Sequence, residues 1–250
     1  MTSSHDSISD LDLIALHADT FFVLGDSGRI LSENKPDTSG GPRFYLAGCE
    51  TGNVFQIHRD VDDAVAHELQ VLAADEPPLF DSNSEPLYLG EYLELLSPTE
   101  DQVGQGLNYV FPVDFSYETD KTLVISGTPE GDQLVAELET NDSIPEGLKS
   151  MGFRTPSDIW SPLCIGLHEG KIAAIGETVR IGKKRGGSRR GHGARFTRTG
   201  FGAAATAGWA LHPDIKKHVR FYGHAKSNNS SKRVTERLGL RYIGASLLIR

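Results

Sequence analysis

The segment that most constrains the fold lies near the end of the sequence. Apolar and polar residues alternate over 219–226, which is typical of a β-strand. Asn and Ser residues then fill positions 227–231, and their side-chain oxygens can accept the free N–H groups of a first helical turn. Gly239 supplies the left-handed residue that commonly ends a helix. The pattern therefore predicts a strand, a short capped helix and a closing strand over 242–249.

A glycine-rich turn precedes a second predicted helix, over 203–211. The turn reads Thr197-Arg198-Thr199-Gly200-Phe201-Gly202-Ala203. Gly200 and Gly202 let the backbone approach a ligand closely, and the free N–H groups and positive dipole end of a helix favour an anion. Arg195 and Arg198 add positive charge. The turn therefore predicts a phosphate-binding site.

Together with Asn228-x-x-Ser231 and Leu238-Gly239, this turn resembles the closing part of the GNAT superfamily of acetyl-CoA-dependent N-acetyltransferases. The resemblance covers about residues 121–250, where the predicted elements run β-α-α-β-β-(β)-α-β-α-β. It implies an α/β (α+β) fold, with a mixed-sheet GNAT-like N-acetyltransferase domain over 121–250. A smaller N-terminal α+β unit of unassigned role would occupy 1–120.

The resemblance also implies acetyl-CoA as co-substrate, with no metal. The cofactor-binding residues that it implies are Arg195, Thr197, Arg198, Thr199, Gly200, Phe201, Gly202, Ala203, Asn228 and Ser231. Thr197 stands where the family has Arg or Gln. The implied reaction is direct transfer of acetyl to a primary amine, and the sequence does not choose between a small amine, an amino acid and a protein N-terminus as acceptor.

An acid for the departing thiolate is the first catalytic group to look for, because proton transfers of this kind contribute ~10²–10⁴-fold. The family commonly uses a Tyr in its last helix, but Thr235 stands at that position here. Tyr222 and Ser231 are the substitutes that we predict. This departure also supports an alternative, in which the chain is a non-catalytic GNAT-like module that binds acetyl-CoA.

Glu177 is the predicted base. By alternation it shares the apolar strand face of Ala173, Ile175, Val179 and Ile181, where burial would raise the pKa of a carboxyl group. The alternative is a Glu at the end of a strand that faces solvent. His192 and His224 are further candidates for the base, and each could equally be a surface or loop histidine.

The stretch 182–193 has no apolar residue and six basic side chains, His192 included, where the family has its fourth strand. Only 194–196 resemble a remnant of that strand. The stretch is interpreted as a mobile basic loop that meets phosphate, as a disordered linker, or as the product of a reading-frame error. An RGG-like contact with nucleic acid is least favoured, since no aromatic residues interleave with the bases.

The net charge of −9 conceals a strong asymmetry. Residues 1–150 have 29 acidic and 6 basic side chains, a balance of −23, whereas residues 151–250 have 5 and 19, a balance of +14. The basic part suits an anionic ligand, and the acidic part argues against general binding of nucleic acid. Acidic walls would attract a cationic amine, although the two parts could also simply neutralise each other.

Several classes of protein are excluded by simpler features. Cys49 and Cys164 lie far apart and offer no metal-site spacing, which fits a reducing cytoplasm. Residues 1–10 lack the basic and apolar regions of a signal peptide. No run approaches the ~18–20 apolar residues of a membrane span. We therefore expect a cytoplasmic protein without a membrane-spanning segment.

Overall fold

A computed structural model describes residues 8–34, 40–140, 144–181, 186–189 and 200–250. Within these residues the chain forms seven α-helices and eleven strands. The chain is therefore mixed α/β, and the predicted fold class is confirmed.

The elements follow one another with short connections. In chain order they are α1 (Asp10–Phe21), β1 (Phe22–Leu24), β2 (Ile30–Glu33), β3 (Phe44–Cys49), β4 (Gly52–Ile57), α2 (Asp63–Asp75), α3 (Leu89–Leu96), β5 (Val103–Val110), β6 (Thr122–Ile125), α4 (Pro129–Thr140), α5 (Glu146–Lys149), β7 (Leu163–His168), β8 (Lys171–Ile181), β9 (Gly186–Arg189), α6 (Phe201–Ala210), β10 (Phe221–Ala225), α7 (Asn229–Arg237) and β11 (Arg241–Ile249). From β6 onward this is the predicted order of elements.

The described residues divide into two compact units, and each contains more than one stretch of the chain. Unit 1 comprises residues 1–109, 224–227 and 242–250, and unit 2 comprises residues 110–223 and 228–241. The predicted domain boundary at residue 120 stays a prediction.

In unit 1 the strands lie in the order β4-β3-β11-β5, and β3 pairs antiparallel with both β4 and β11. Apolar residues of α2, α3 and one sheet face form the core of the unit, with Phe44, Tyr92 and Leu247 fully buried. On the opposite face Tyr45 stacks with Phe21 of α1 and contacts Phe22 of β1 edge to face. The side chain of Ser9 caps α1 by accepting the Asp12 N–H, so α1 has a local signal although it was not among the predicted elements.

In unit 2 the strands lie in the order β10-β9-β8-β7-β6. Strands β6 to β9 pair antiparallel, whereas β9 and β10 are parallel. One face of β7 and β8 buries Leu163, Ile165 and Ile175 beneath α4 and α5. The other face supports α6.

Helix α6 approaches the sheet closely because glycines occupy both sides of the contact, Gly176 in β8 and Gly208 in α6. A Cβ at Gly176 would lie 2.5 Å from the Ala205 carbonyl oxygen, and one at Gly208 would lie 2.4 Å from the Cys164 Sγ. Burial raises the pKa of the Cys164 thiol to about 12, so this sulfur stays protonated. The small residues of α6 therefore fix its distance from β7 and β8.

The basic segment contains a strand, which corrects the interpretation of 182–193 as a loop or a linker. Residues Gly186–Arg189 form β9, which pairs antiparallel with β8 and parallel with β10. Gly and Ser have low β-propensity, but backbone pairing with a strand on each side can stabilise a strand that its own residues do not favour. The other predicted positions here, including 194–196 and His192, lie outside the described residues.

Two further features of the described part of the chain concern membranes and metals. No helix in it combines the length and apolar character that crossing a bilayer requires. No group of three or more His, Cys, Asp or Glu side chains in it is arranged to hold a metal ion.

Candidate functional site

The candidate site is built on the parallel pair β9 and β10 of unit 2. Helix α6 follows β9 and helix α7 follows β10, so both helices begin beyond the carboxyl ends of neighbouring parallel strands. In α/β sheets this edge is where ligands bind, because free N–H groups of helix N-termini collect there. The first turn of α6 lies beside the last turns of α7, where Gly200 approaches Arg237 and Gly202 approaches Val234, so the starts of the two helices are separated by about the length of α7.

Gly200 has the backbone conformation that the start of α6 requires. Its φ of 84° lies in the left-handed region, and its carbonyl accepts the Ala204 N–H at 3.0 Å, the first bond of the helix. A Cβ here would lie 2.3 Å from the Arg237 Nη1. Because this guanidinium ends a flexible side chain that could move aside, the left-handed φ is what favours glycine here. The turn and the Arg237 guanidinium beside it form a cradle.

A guanidinium, an ammonium group and an imidazole ring surround the first turn of α6. Besides Arg237, the Lys121 Nζ lies 5.5 Å from the centre of the Phe201 ring, and the ring of His168 lies 5.4 Å from the same ring. None of the three was among the site residues predicted from the sequence. Arg237 is a basic residue in the last turn of α7, which local reasoning explains by the helix dipole alone.

The other described residues of the glycine-rich turn lie in the first turn of α6. Phe201 packs with Ala173, Ala174 and Ala205, and Ala203 is buried. Gly202 is half-buried, and a Cβ there would lie 3.6 Å from Val234 of α7. Phe201 and Ala203 thus anchor the turn through their side chains, and only backbone groups remain for a ligand. Arg195, Thr197, Arg198 and Thr199 lie outside the described residues.

Asn228 caps α7 as predicted from the sequence. Its Oδ1 accepts the Ser231 N–H at 3.0 Å. Ser231 itself is buried, and Val234 and Thr235 face inward with it. The Asn228 side chain therefore fixes the first turn of the second helix at this edge.

Glu177 lies in β8 with 4% of its surface exposed, so it is a buried carboxyl group and not a solvent-facing one. It pairs with Leu163 of β7 and with Arg189, the last residue of β9. Residues that pair directly across antiparallel strands share a face, so Glu177 lies on the face covered by α4 and α5. Ala173 does not share this face. Ala173 is the extra residue of β8 at the register shift opposite Gly166 and Leu167, and it packs against Phe201.

Tyr222 is buried in β10 and lies on the other face. The Thr178 Oγ1 accepts the indole N–H of Trp209 at 2.8 Å, which places Thr178 beneath α6. Thr178 pairs with Ser188, and Ser188 pairs with Tyr222. The predicted base and the predicted acid thus flank the carboxyl end of β9 from opposite faces, and a ligand must enter at this end of the sheet to meet both.

Thr235 and His224 have other roles in the fold. Thr235 is buried, and its hydroxyl donates to the Lys232 carbonyl at 2.7 Å. His224 belongs to unit 1, where its ring stacks on Tyr109 with a centroid separation of 5.4 Å. The Thr235 hydroxyl is therefore already bonded within its own helix.

No protein-family model and no curated protein matches the chain. Solved structures give distant matches. A proposed GNAT-family acetyltransferase from Novosphingobium aromaticivorans is 18% identical with a TM-score of 0.38, and the match covers 59% of this chain and 63% of that one, under two thirds of its length. A GNAT-family acetyltransferase from Colwellia psychrerythraea is 13% identical, with a TM-score of 0.38 and coverage of 79% and 76%. A GCN5-related N-acetyltransferase-like protein from Streptococcus suis is 13% identical, with a TM-score of 0.42 and coverage of 84% of each chain. These likenesses are too distant to assign a family.

Proposed function

We propose that the protein transfers an acetyl group from acetyl-CoA to a primary amine. The observation that carries this proposal is the left-handed Gly200 at the start of α6, with the Arg237 guanidinium where a side chain would otherwise stand. A cradle of this kind suits a diphosphate, because the N–H groups of a first helical turn have no partner within the helix.

The residues around this cradle fit a polyanionic cofactor. The N–H groups of Phe201, Gly202 and Ala203 would donate to the diphosphate, and Arg237 would add charge-assisted hydrogen bonds. Lys121, which also pairs with Asp120, lies close enough to Phe201 to bring further positive charge to the same turn, and the His168 ring offers a nitrogen there. Asn228 would hold the start of α7 against the thiol end of the cofactor.

Acetyl-CoA would supply a thioester as acetyl donor. The carboxylate of Glu177 would take a proton from the attacking amine, since a buried carboxyl group is the kind whose pKa can be tuned for this transfer. The hydroxyl of Tyr222 would supply a proton from the opposite face of the sheet. No covalent attachment to the chain is needed in this scheme.

The test is calorimetric titration of the full chain with acetyl-CoA. Gly200→Asp puts a carboxylate against the phosphates and should weaken binding about tenfold or more, equivalent to ~1.4 kcal/mol. Gly170→Asp is the matched control, because Gly170 has a similar φ of 73° and open space around it. Absence of binding by the wild-type chain, or equal losses in the two variants, would contradict the proposal.

A second candidate function is binding of acetyl-CoA without turnover. It is favoured by the buried Thr235, whose hydroxyl is bonded within its own helix where the family has its acid. Acetyl-CoA binding without acetylation across a panel of small amines, amino acids and peptides would select this function. Turnover of any of these amines would remove it.

A further inference from the structure

One face of the unit 1 sheet has a strip without side chains, formed by Gly104 and Gly106 of β5. Gly104 and Gly106 alternate along β5 with residues that face the core of the unit, such as Leu107. They therefore lie on the opposite face of the sheet. Glycine weakens a strand interior, and it often marks a place where a ligand or another backbone approaches closely.

Ser246 borders the strip, and the strip becomes more buried along β5 from Gly104 to Gly106. A Cβ at Gly106 would lie 2.9 Å from the Ser246 Oγ of β11, and one at Gly104 would touch only the Leu248 carbonyl oxygen at 3.9 Å. Gly104 is exposed and Gly106 is half-buried. The strip thus leads from solvent toward the interior along β5, with Ser246 beside it.

A polar side chain without a partner stands at the closed end of the strip. Asn108 is the next residue of β5 on this face and only 3% of it is exposed, yet its Nδ2 has no hydrogen-bond partner in the described part of the chain. Burying an amide donor without a partner costs free energy that an apolar side chain of the same shape would not cost. Such a group in a native fold calls for a ligand or a bound water.

We propose that this strip binds an extended ligand and that the Asn108 Nδ2 donates to an oxygen of that ligand. The oxygen is an amide carbonyl or a carboxylate, because these accept hydrogen bonds in a dry site. The open space beside Gly104 takes the chain that carries this oxygen, and the Ser246 hydroxyl, which fills the space beside Gly106, would turn away to let that chain pass. Its source is an amino acid or a short peptide; that this ligand is the acetyl acceptor rests on the proposed function, whereas the strip does not.

The test uses the full chain labelled with ¹⁵N and two probes, acetyl-CoA and glycylglycine. The side-chain NH₂ signals of Asn108 are identified by their loss in Asn108→Leu. We expect glycylglycine, the active probe, to shift them and to bind Asn108→Leu at least tenfold more weakly. A shift by acetyl-CoA alone would contradict an amino acid or peptide as the ligand.

Two further variants separate binding from folding. Gly106→Ala should also weaken the active probe, because its methyl group would occupy the strip while the Ser246 hydroxyl can turn away. Asn83→Leu, at an exposed loop position, is the control and should bind as the wild type does. Without ligand, Asn108→Leu should melt at the wild-type temperature or above it, because it removes an unpaired buried amide.

Three outcomes would overturn the proposal. One is that glycylglycine does not move the Asn108 signals. Another is that Asn108→Leu binds the active probe as tightly as the wild type. The third is a large loss of stability in Asn108→Leu without ligand, which would make the amide a structural group. Failure of acetyl-CoA to bind anywhere would refute the proposed function, and the glycylglycine arm would still decide this site.

Discussion

At the scale of single residues, Asn228 has a structural role and a proposed binding role that can be separated. Its side-chain oxygen accepts the Ser231 N–H. Asn228→Ala should lower the free energy of unfolding by ~1 kcal/mol, the usual cost of losing an N-cap, in urea unfolding. Asn228→Asp caps equally well, so stability should be kept while the added charge weakens acetyl-CoA binding. Equal stability of the Ala variant and the wild type would refute the capping role.

Glu177 can be tested by removing its charge without changing its size. Glu177→Gln should lower acetyl-transfer turnover by ~10²–10⁴-fold, the range for a lost general base, and should leave the affinity for acetyl-CoA unchanged. Glu118→Gln is the control, since Glu118 is exposed. Steady-state kinetics measures the turnover of each variant, and calorimetry measures its affinity for acetyl-CoA. Unchanged turnover in Glu177→Gln would eliminate this base.

Some residues of the site could be predicted from the sequence because their signals are local. Gly200 precedes a helix and Asn228 caps one, and both roles are visible within a few neighbouring positions. Arg237 could not be found in this way. Its guanidinium reaches Gly200 only because α7 packs beside α6, and that packing depends on residues far apart in the chain.

At the scale of elements, the contact between α6 and β7 depends on one small residue on each side. Gly208→Ala would place a methyl group against the Cys164 Sγ in a closed core. It should cost ~1–3 kcal/mol, the range for overpacking. In a Cys164→Ala background the sulfur is gone, so the same substitution should cost much less. A double-mutant cycle in urea measures this coupling, and additive losses would show that the two residues act independently.

Arg220, directly before β10, links the start of that strand to the end of α6 and to residues 112–113, which precede β6. Its guanidinium donates to the carbonyl oxygens of Ala210, Pro112 and Val113 and lies against the Phe111 and Phe115 rings. Burial lowers the pKa of the Arg220 guanidinium, because removing the charged form from water costs free energy.

Loss of this planar donor should be severe. Arg220→Met leaves three carbonyls without their donor, and Arg220→Lys has a single ammonium that cannot reach all three. We expect both variants to lose ~3 kcal/mol or more of unfolding free energy, the scale for breaking a buried charged network. Urea unfolding measures it, and a Lys variant as stable as the wild type would show that charge alone is sufficient.

Strand β9 shows where reasoning about elements fails. Periodicity and propensity favour a loop over 182–193, because glycines and like charges offer no apolar face. Pairing with β8 and β10 nevertheless makes a strand of residues 186–189. Strand identity in the middle of a sheet is decided by neighbours that come from elsewhere in the sequence.

At the scale of the whole molecule, stability should fall in acid. Burial alone would raise the pKa of Asp158, but the N–H groups of Thr155 and Arg154 donate to its carboxylate and hold this pKa below its ordinary value. A carboxyl group whose pKa is lower in the folded state stabilises the fold above about pH 4, and this stabilisation is lost as the pH falls through the folded pKa.

Asp158→Asn should remove part of this dependence. Its unfolding free energy should be below the wild-type value at pH 7, and the difference should shrink between about pH 4 and pH 2, where the wild-type carboxylate takes up its proton. Urea midpoints across this range measure both effects. A constant difference at all pH values would show that the charge of Asp158 does not contribute.

The sequence is also a partial guide to the whole chain. The order of elements from β6 onward, apart from β9, follows from local periodicity, capping residues and turns, and it is confirmed. The composition of unit 1 does not follow from such signals. That unit takes in residues 242–250 beside the first 109, because β11 pairs with β3 across about two hundred residues. No local pattern encodes a partner at that separation.

The pairing of β11 with β3 also affects how the chain folds during its synthesis. During synthesis, residues 44–49 leave the ribosome long before residues 245–249 exist, so the edge of β3 that β11 will cover stays open while the rest of the chain is made. An unpaired strand edge is a template for wrong partners. The nascent chain must keep this edge protected until its true neighbour arrives.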